Sequence, residues 1–352
     1  MEKFEVKAYG TLSETADLKP IKIERRTVTA TDIEIEILYC GVCHSDLHTA
    51  RNDWGGTVYP AVPGHEIVGR ITKVGPKVNK FKIGDIAAVG CMVDSCRECA
   101  SCKQDLEQYC IPGFTGTYNG KDKYLGGRTF GGYSATIVVN EHFVLKVPEN
   151  LNLAAVAPLL CAGITTWSPL RHWNVGKDSR VAIVGLGGLG HMAIKLAKAL
   201  GASVTLFSRS PEKQKDAFDL GADQVIISTD SEHMASVKGK FDLIIDTVPS
   251  LHDVNPYIPT LNLNGAIVLV GYLGGLDPVL NTVPLIMGRK SVAGSLIGGI
   301  AETQEMLDFC GKHGIVSEIE LIKMDEINEA YDRMLKSDVQ YRFVIDMGTL
   351  NG

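Results

Sequence analysis

The apolar pattern of this 352-residue chain changes near residue 150, and the change limits the folds that the chain can adopt. Before residue 150, apolar and polar residues alternate with the period of a half-buried strand, or form short apolar runs between Gly and Pro turns. The runs at residues 31–40, 67–74 and 83–89 are examples. No long amphipathic helix occurs there. The pattern predicts an all-β module with a long excursion between about residues 90 and 130.

After residue 150, short apolar runs alternate with segments of helical period, which predicts a parallel sheet covered by helices. The apolar runs are at residues 181–184, 204–207, 243–245 and 267–270, and the helical patterns at 191–200 and 212–220. The end of the chain has a helical pattern at 301–313 and a strand pattern at 343–345. The pattern alone leaves open which domain this end belongs to.

Charge and composition restrict the binding partners. The 35 Lys and Arg residues against 41 Asp and Glu residues give a net charge of −6, and no basic block interrupts this acidic balance. The sequence therefore predicts no binding to nucleic acid or anionic membranes. No apolar run is long enough for a membrane span, and the N-terminus lacks a signal peptide pattern. We expect a cytoplasmic protein, in which nine cysteines favour metal binding over disulfides.

Four cysteines lie within fifteen residues of a polar, loop-like stretch, at positions Cys96, Cys99, Cys102 and Cys110. Four thiolates can close a tetrahedral shell around zinc, and a closed shell has a structural role. We predict a structural zinc lobe at about residues 91–112. An iron–sulfur cluster is the chemical alternative, since thiolates hold such clusters too.

A second group of possible ligands is spread more widely. Thiol, imidazole, hydroxyl and carboxylate groups are concentrated at residues 40–48, followed by His65 and Glu66 and, much later, by Cys161. Two cysteines and one histidine with an open fourth position are typical of catalytic zinc. Each of these residues could equally be an ordinary core residue. Spacing alone does not select the ligands.

A dinucleotide fingerprint, G-x-G-x-x-G, occupies residues 185–190, directly after a predicted strand and at the start of a predicted helix. Glycines there allow a tight turn and a close approach to a pyrophosphate at the helix N-terminus. Ser208 stands where an acidic residue would bind the 2′-hydroxyl of NAD, and Arg209 and Lys213 follow it. These residues favour the 2′-phosphate of NADP, although a solvated turn with helix-capping serines is the alternative interpretation.

Taken in order, these motifs resemble the zinc-dependent medium-chain alcohol dehydrogenases. Residues 159–165, 295–299 and 341–346 are most similar to the cinnamyl alcohol dehydrogenase branch, particularly its bacterial broad-range aldehyde reductases. The resemblance covers essentially the whole chain. It implies a GroES-like catalytic domain at residues 1–154 and 294–352, with a Rossmann domain of doubly wound parallel sheet inserted at 155–293, and it implies a homodimer.

The resemblance also implies roles for individual residues. It makes Cys43, His65 and Cys161 the ligands of a catalytic zinc, with Glu66 beside it and Asp46 orienting His65. It implies a proton relay from Ser45 through the cofactor ribose to His48. The cofactor contacts that it implies, together with those of the fingerprint and its following turn, are His44, Thr165, Gly185, Gly187, Gly188, Leu189, Gly190, Ser208, Arg209, Lys213, Thr247, Ser295 and Ile297.

The resulting prediction is an NADP-dependent zinc enzyme that interconverts primary alcohols and aldehydes. Trp54, Cys91 and Tyr118 could line an apolar pocket, which favours aromatic or medium-chain aldehydes. A polyol or other secondary-alcohol dehydrogenase on the same fold, and a zinc-stabilised binding protein without activity, are the alternatives. The sequence leaves the roles of Cys40, Cys91 and Cys310 unassigned.

Overall fold

The structure is a computed structural model that describes residues 2–351, and the side chains of residues 2–350. The chain forms two compact units. The first unit comprises Met1–Cys161 and Gly298–Gly352, and the second comprises Ala162–Ile297. The corresponding boundaries predicted from the sequence lie after residues 154 and 293.

The first unit is built mainly from strands. Its strands are β1 (Lys3–Gly10), β2 (Lys19–Arg26), β3 (Asp32–Gly41), β4 (Ile67–Val74), β5 (Ile86–Val89), β6 (Met92–Asp94), β7 (Thr115–Gly116), β8 (Thr136–Asn140), β9 (Leu145–Lys146), β16 (Ile319–Lys323) and β17 (Arg342–Asp346). Its α-helices are α1 (His44–Ala50), α2 (Leu153–Val156), α8 (Ile300–His313) and α9 (Ile327–Leu335). Short 3₁₀ turns occur at Cys102–Gln104, Glu107–Tyr109, Glu141–Phe143, Ala157–Leu160, Met324–Glu326 and Met347–Asn351.

A seven-stranded sheet forms the centre of the first unit. Its order is β16-β17-β3-β4-β5-β9, and β8 pairs with β3. The first four residues of β3, Asp32 to Ile35, are all buried, whereas Glu36 is exposed. Asp32 pairs with Arg26 at 3.0 Å, and Glu34 pairs with Lys73 at 2.9 Å. The start of the predicted half-buried strand is therefore buried on both faces, and its two buried charges have partners, as buried charges require.

The end of the chain completes this sheet. Strand β17 pairs in parallel with β16 and antiparallel with β3, where Val344 lies opposite Gly41. Residues near 342 thus lie in the same sheet as the segment that leads into α1. Helix α1 itself is only seven residues long, and the strand pattern before residue 150 did not reveal it.

The second unit contains a six-stranded sheet of order β12-β11-β10-β13-β14-β15, in which all neighbouring strands are parallel. This is the strand order of a doubly wound Rossmann sheet, and it confirms the predicted fold class. The strands are β10 (Arg180–Val184), β11 (Ser203–Ser208), β12 (Gln224–Ile227), β13 (Phe241–Asp246), β14 (Leu261–Leu269) and β15 (Ser291–Gly294). The helices are α3 (Ala162–His172), α4 (Gly190–Ala199), α5 (Gln214–Asp219), α6 (Ser231–Ser236) and α7 (Val283–Gly288), with 3₁₀ turns at Pro211–Lys213 and Asn255–Thr260.

Two glycines shape the turn between β10 and α4. Gly185 has a φ of +90°, a conformation that side chains other than glycine rarely adopt. At Gly190, a Cβ atom would lie 2.1 Å from the carbonyl oxygen of Gly185. The turn is therefore too tight for any other residue at position 190. Helix α4 begins after a turn of five residues, 185–189, that follows β10.

Within residues 2–351, no single helix combines the length and the apolar character needed to cross a membrane.

Candidate functional site

Four potential metal ligands that are distant in sequence come together in the first unit. The ligand atoms of Cys43, His65, Glu66 and Cys161 all lie within 4.8 Å of one another, and all four residues are buried. The sulfur atoms of Cys43 and Cys161 are 3.8 Å apart. Two thiolates bound to one tetrahedral zinc, each at about 2.3 Å, have sulfurs separated by about 3.8 Å, so this pair already has the spacing of zinc ligands.

The start of α1 positions the first ligand. Cys43 is the N-cap residue of α1, and its backbone N–H donates to the carboxylate of Asp46 at 2.8 Å. The same carboxylate accepts the N–H of Gly64 at 3.0 Å. Gly64 has a φ of +101° and no room for a side chain, since a Cβ atom would lie 2.7 Å from the Tyr133 ring. Asp46 thereby fixes the backbone on which both Cys43 and His65 are carried.

The ring of His65 has one engaged and one free nitrogen. Its Nδ1 lies 3.2 Å from Asp46 Oδ1 and 3.0 Å from the hydroxyl of Tyr118. Its Nε2 is buried and has no hydrogen-bond partner in the described part of the chain, and the same holds for Glu66 Oε2. Buried polar atoms without partners are costly. A zinc ion between the two thiols and Nε2 would remove that cost, so the residues present fit a catalytic zinc.

Glu66 is held by the end of the chain. The guanidinium of Arg342 on β17 donates to Glu66 Oε1, and both side chains are buried. Burial raises the pKa of the Glu66 carboxyl, whereas contact with Arg342 favours the ionised form. Gly41 leaves room for the carboxylate, because a Cβ atom there would lie 1.9 Å from Glu66 Oε2. The Glu66 carboxylate therefore lies next to the other potential ligands and is paired at the same time with the guanidinium of Arg342.

The two buried thiols of the cluster shift each other's pKa in opposite directions. Their contact holds the pKa of Cys43 well below its ordinary value and raises that of Cys161 well above it. This is the expected behaviour of two interacting groups that ionise in sequence. Cys91 lies beside them, and its sulfur is 3.6 Å from the carbonyl oxygen of Leu160. The structure thus brings Cys91 to the cluster, outside the group of four ligand atoms.

The four cysteines of the lobe also come together. The ligand atoms of Cys96, Cys99, Cys102 and Cys110 lie within 4.8 Å of one another, and the sulfurs of Cys96 and Cys102 are 3.9 Å apart. Backbone N–H groups of Cys96, Cys99 and Ile111 donate to these sulfurs. Such bonds stabilise thiolates, and four thiolates at this spacing match a closed tetrahedral zinc shell.

Two further candidates lie on α1. The hydroxyl of Ser45 is 3.7 Å from the sulfur of Cys43. One turn later, His48 Nδ1 lies 2.7 Å from Asp53 Oδ2, and the ring of Trp54 packs 5.0 Å from that of His48. The imidazole is partly exposed, so Ser45 sits next to the ligands whereas His48 reaches solvent.

The candidate NADP residues of the second unit lie where β11 ends. Ser208 is its last residue, and the Ser208 hydroxyl donates to the carbonyl of Ser210 at 2.9 Å. Arg209 is exposed, and Lys213 lies in the following 3₁₀ turn. The turn also contains one acid, Glu212, which accepts a hydrogen bond from the Ser210 hydroxyl. No carboxylate stands at the end of β11 itself.

The remaining candidate cofactor residues are distributed over both units. Thr247 follows β13, and its hydroxyl donates to the carbonyl of Val184 at 2.8 Å, which ties the ends of β13 and β10 together. Thr165 is buried in α3, and Ser295 and Ile297 follow β15. His44 is the first residue of α1 in the first unit, where burial lowers its pKa.

Two protein-family models match this chain. The Alcohol dehydrogenase GroES-like domain model matches residues 29–149, and the Zinc-binding dehydrogenase model matches residues 188–312. The chain belongs to the zinc-binding alcohol dehydrogenase family. Aldehyde reductase YahK of Escherichia coli (strain K12) is 53% identical to it over 98% of this chain and 99% of that protein.

Two solved structures of the family resemble the whole chain. A cinnamyl alcohol dehydrogenase from Sorghum bicolor has a TM-score of 0.94 and 44% identity, and the match covers 98% of each chain. The CAD from Helicobacter pylori, solved in complex with NADP(H), has a TM-score of 0.90 and 42% identity over 99% of each chain. These matches confirm the predicted family and its cinnamyl alcohol dehydrogenase branch.

Sequence reasoning missed two partners of the metal cluster. It considered Tyr118 only as a pocket residue, although the Tyr118 hydroxyl contacts His65. It used Arg342 only as part of a family motif, although Arg342 pairs with Glu66 across 276 residues. No spacing signal could have revealed either contact, because both depend on the path of a loop and on the pairing of β17 with β3.

Replacement of Tyr118 by Phe should loosen the metal at this cluster. If Nε2 of His65 binds the zinc, its Nδ1–H has two acceptors, Tyr118 and Asp46, and the variant leaves only Asp46 to orient the ring. Loss of such an outer hydrogen bond weakens metal affinity by about tenfold or more. Transfer of zinc to a chromophoric chelator should show faster release of one zinc per chain and unchanged release of the other.

Tyr124→Phe is the matched control, since the Tyr124 ring packs against Arg26, away from the cluster. Equal release rates for Tyr118→Phe and the unmodified protein would contradict the assigned hydrogen bond.

Proposed function

We propose that this protein is an NADP-dependent zinc oxidoreductase that interconverts primary alcohols and aldehydes and that reduces aromatic or medium-chain aldehydes. One observation carries the proposal most directly. The buried Nε2 of His65 has no hydrogen-bond partner among the described residues and lies near two thiols at zinc-ligand spacing, in a member of the zinc-binding alcohol dehydrogenase family. The named relatives, an aldehyde reductase and a cinnamyl alcohol dehydrogenase, support the substrate class.

We assign Cys43, His65 and Cys161 as the ligands of the catalytic zinc and the four cysteines of the lobe as those of a structural zinc. When bound, zinc supplies a Lewis acid for the substrate oxygen, and NADPH supplies the hydride. Two thiolates and a neutral imidazole nearly cancel the charge of the ion. Asp46 keeps His65 in the required tautomer, because it accepts the Nδ1 proton and leaves Nε2 for the metal.

Glu66 is an additional potential ligand beside Cys43, His65 and Cys161. Its pairing with Arg342 keeps one oxygen occupied, while Oε2 has no hydrogen-bond partner in the described residues. An oxygen without a hydrogen bond next to the ligand cluster would be available as a further ligand for a bound zinc. The buried guanidinium reduces the repulsion between this carboxylate and the Cys43 thiolate.

Ser45 and His48 are the residues that would transfer the proton between the substrate oxygen and water. The Ser45 hydroxyl is next to the Cys43 ligand and would exchange a proton with the substrate oxygen. His48 stands at the solvent end of α1, with Nδ1 bound to Asp53, so that Nε2 is left to exchange protons with water. These positions are consistent with a relay that begins at a buried oxygen and ends at the surface.

The second unit holds the cofactor. The glycines at 185–190 leave space for a pyrophosphate at the N-terminus of α4, where backbone N–H groups favour anions. We assign Ser208, Arg209 and Lys213 to the 2′-phosphate, because no acid at the end of β11 repels it. The remaining contacts in the proposal are His44, Thr165, Thr247, Ser295 and Ile297. The NADP(H) complex of the Helicobacter pylori relative supports this cofactor.

A substrate and cofactor panel tests the function. The zinc-loaded protein should reduce cinnamaldehyde and benzaldehyde with NADPH at least about tenfold more efficiently than it oxidises sorbitol with NAD, measured as kcat/KM from nicotinamide absorbance. Apolar neighbours such as Trp54 favour an aromatic ring over a polyol. Turnover of the polyol alone would identify a polyol dehydrogenase, and no turnover at all would support a binding protein.

A variant tests the cofactor assignment in the same assay. Ser208→Asp places a carboxylate at the end of β11, which repels the 2′-phosphate and accepts a ribose hydroxyl. We expect kcat/KM for NADPH to fall relative to that for NADH by about tenfold or more. An unchanged ratio would contradict the phosphate assignment.

Two cysteine variants separate the zinc sites. Cys43→Ser should lower aldehyde reduction about a thousandfold or more while the melting temperature stays close to that of the unmodified protein. Cys99→Ser should lower the melting temperature by about 10 °C, since it opens a structural shell. Each variant should contain one zinc per chain by metal analysis. Full activity in both variants would be incompatible with the two-zinc assignment.

We also propose that two copies associate through the second unit and that the protein works in the cytoplasm. Strand β15 is the last strand of its sheet, and an exposed apolar set lies in the neighbouring segment: Leu273, Val279, Val283, Ile286 and Met287. Burial of such side chains favours association. None of the nine cysteines, all of which the structure describes, forms a disulfide, which suits a reducing compartment. Light scattering should give twice the 38.0 kDa of one chain, and a monomer would contradict the association.

A further inference from the structure

The first unit contains a cavity of about 150 Å³ that the proposed function does not use. It lies between the β1–β2 hairpin, strands β6 to β8 and the loop at residues 117–130, and no ligand of the candidate catalytic zinc lines it. One water occupies about 30 Å³ in the liquid. The cavity therefore has room for about five waters or for a ligand of about that size.

A buried guanidinium without a carboxylate partner lines this cavity. Arg25 donates to the backbone oxygens of Phe130, Gly131 and Thr136 and to the hydroxyl of Ser134. All four acceptors are neutral, and Arg25 forms no ion pair with a carboxylate in residues 2–350. The one carboxylate whose charge acts on Arg25 is that of Asp122, on the cavity wall. Burial lowers the pKa of Arg25 to about 9, which still leaves it protonated at neutral pH. A buried charge of this kind is costly until an opposite charge is supplied.

Two more cations of the cavity wall lack a counter-charge. The backbones of Lys121 and Arg128 pair across the 117–130 loop, and neither side chain forms an ion pair within the part of the chain that the structure describes. The one carboxylate of the wall that lacks an ion pair is Asp122. It accepts the N–H groups of Tyr124 and Leu125. The charged groups around the cavity that lack an ion pair are therefore three cations, on Arg25, Lys121 and Arg128, and one anion, on Asp122.

The other charged groups of the wall compensate one another. Arg26 pairs with Asp32, Lys123 with Asp94 and Lys3 with Glu24. This leaves a net charge of about +2 at the cavity in a chain whose net charge is −6. Guanidinium groups and a lysine at one cavity are the groups that proteins use to bind phosphate.

We propose that this cavity is a binding site for a small oxyanion, namely a phosphate group, carried either by inorganic phosphate or by a small phosphomonoester. A phosphate dianion matches the uncompensated charge of Arg25, Lys121 and Arg128 against Asp122. The cavity volume is large enough for a phosphate with a short substituent. The inference is independent of the proposed reaction, because none of these residues belongs to the zinc or cofactor machinery.

Isothermal titration calorimetry on the zinc-loaded full-length protein without dinucleotide tests the site. Inorganic phosphate and glycerol 3-phosphate are titrated separately at constant ionic strength in chloride buffer. We expect one phosphate per chain at the cavity and a dissociation constant at least about tenfold weaker in Lys121→Ala/Arg128→Ala, because charge-assisted hydrogen bonds are lost. Binding of both ligands supports a site open to esters, and binding of inorganic phosphate alone supports a site for the free ion.

Two control variants distinguish phosphate binding at the cavity from phosphate binding elsewhere on the protein. Lys77→Ala/Lys80→Ala removes the same charge from exposed positions outside the cavity and should leave the dissociation constant unchanged. Arg209→Ala removes a residue of the proposed 2′-phosphate site and should leave phosphate binding at the cavity intact. No binding to the unmodified protein, equal binding to the cavity variant, or loss of binding only in Arg209→Ala would overturn the proposal. Thermal melting verifies that each variant is folded, and the single variant Lys121→Ala, at an exposed position, repeats the test.

Discussion

The metal cluster of the first unit depends on one buried carboxylate. Asp46 is fully buried and accepts hydrogen from the backbones of Cys43 and Gly64, while it also contacts His65 Nδ1 and the Tyr133 hydroxyl. These contacts connect the start of α1, the turn before β4 and the segment before β8. A buried carboxylate is tolerated because every contact offsets part of its desolvation. Without it, the two proposed ligands Cys43 and His65, which are 22 residues apart in sequence, would have no common anchor.

Local features of the sequence predicted what depends on local contacts. The fingerprint at residues 185–190 identified the turn between β10 and α4, and four cysteines within fifteen residues identified the lobe. Cys161 was different, because it stands in an apolar run and is 118 residues from Cys43. Only resemblance to a family selected it. Neither the sequence pattern nor the family resemblance predicted the contacts of Tyr118 with His65 and of Arg342 with Glu66. A hydrogen bond between distant segments leaves no periodicity in the sequence.

The same contrast applies to the sheets. Parallel strands flanked by helices are buried on both faces and appear as continuous apolar runs, so most strands of the second unit were predictable. In the first unit, the alternating pattern of residues 31–40 predicted a half-exposed strand. The structure leaves Glu36 exposed but buries Asp32 and Glu34 with cationic partners. Periodicity reports the polarity of a face, and it does not report whether a neighbouring cation covers that face.

The pairing of Glu66 with Arg342 has a consequence for synthesis on the ribosome. Cys43, His65, Glu66 and Cys161 are all translated before the second unit, whereas Arg342 follows it, 276 residues after Glu66. The lobe cysteines, by contrast, emerge almost together and can capture their ion early. A nascent chain that has just completed its second unit therefore carries a full set of ligands with Glu66 still lacking its guanidinium. The two metal sites of one polypeptide reach their final electrostatic state at different stages of translation.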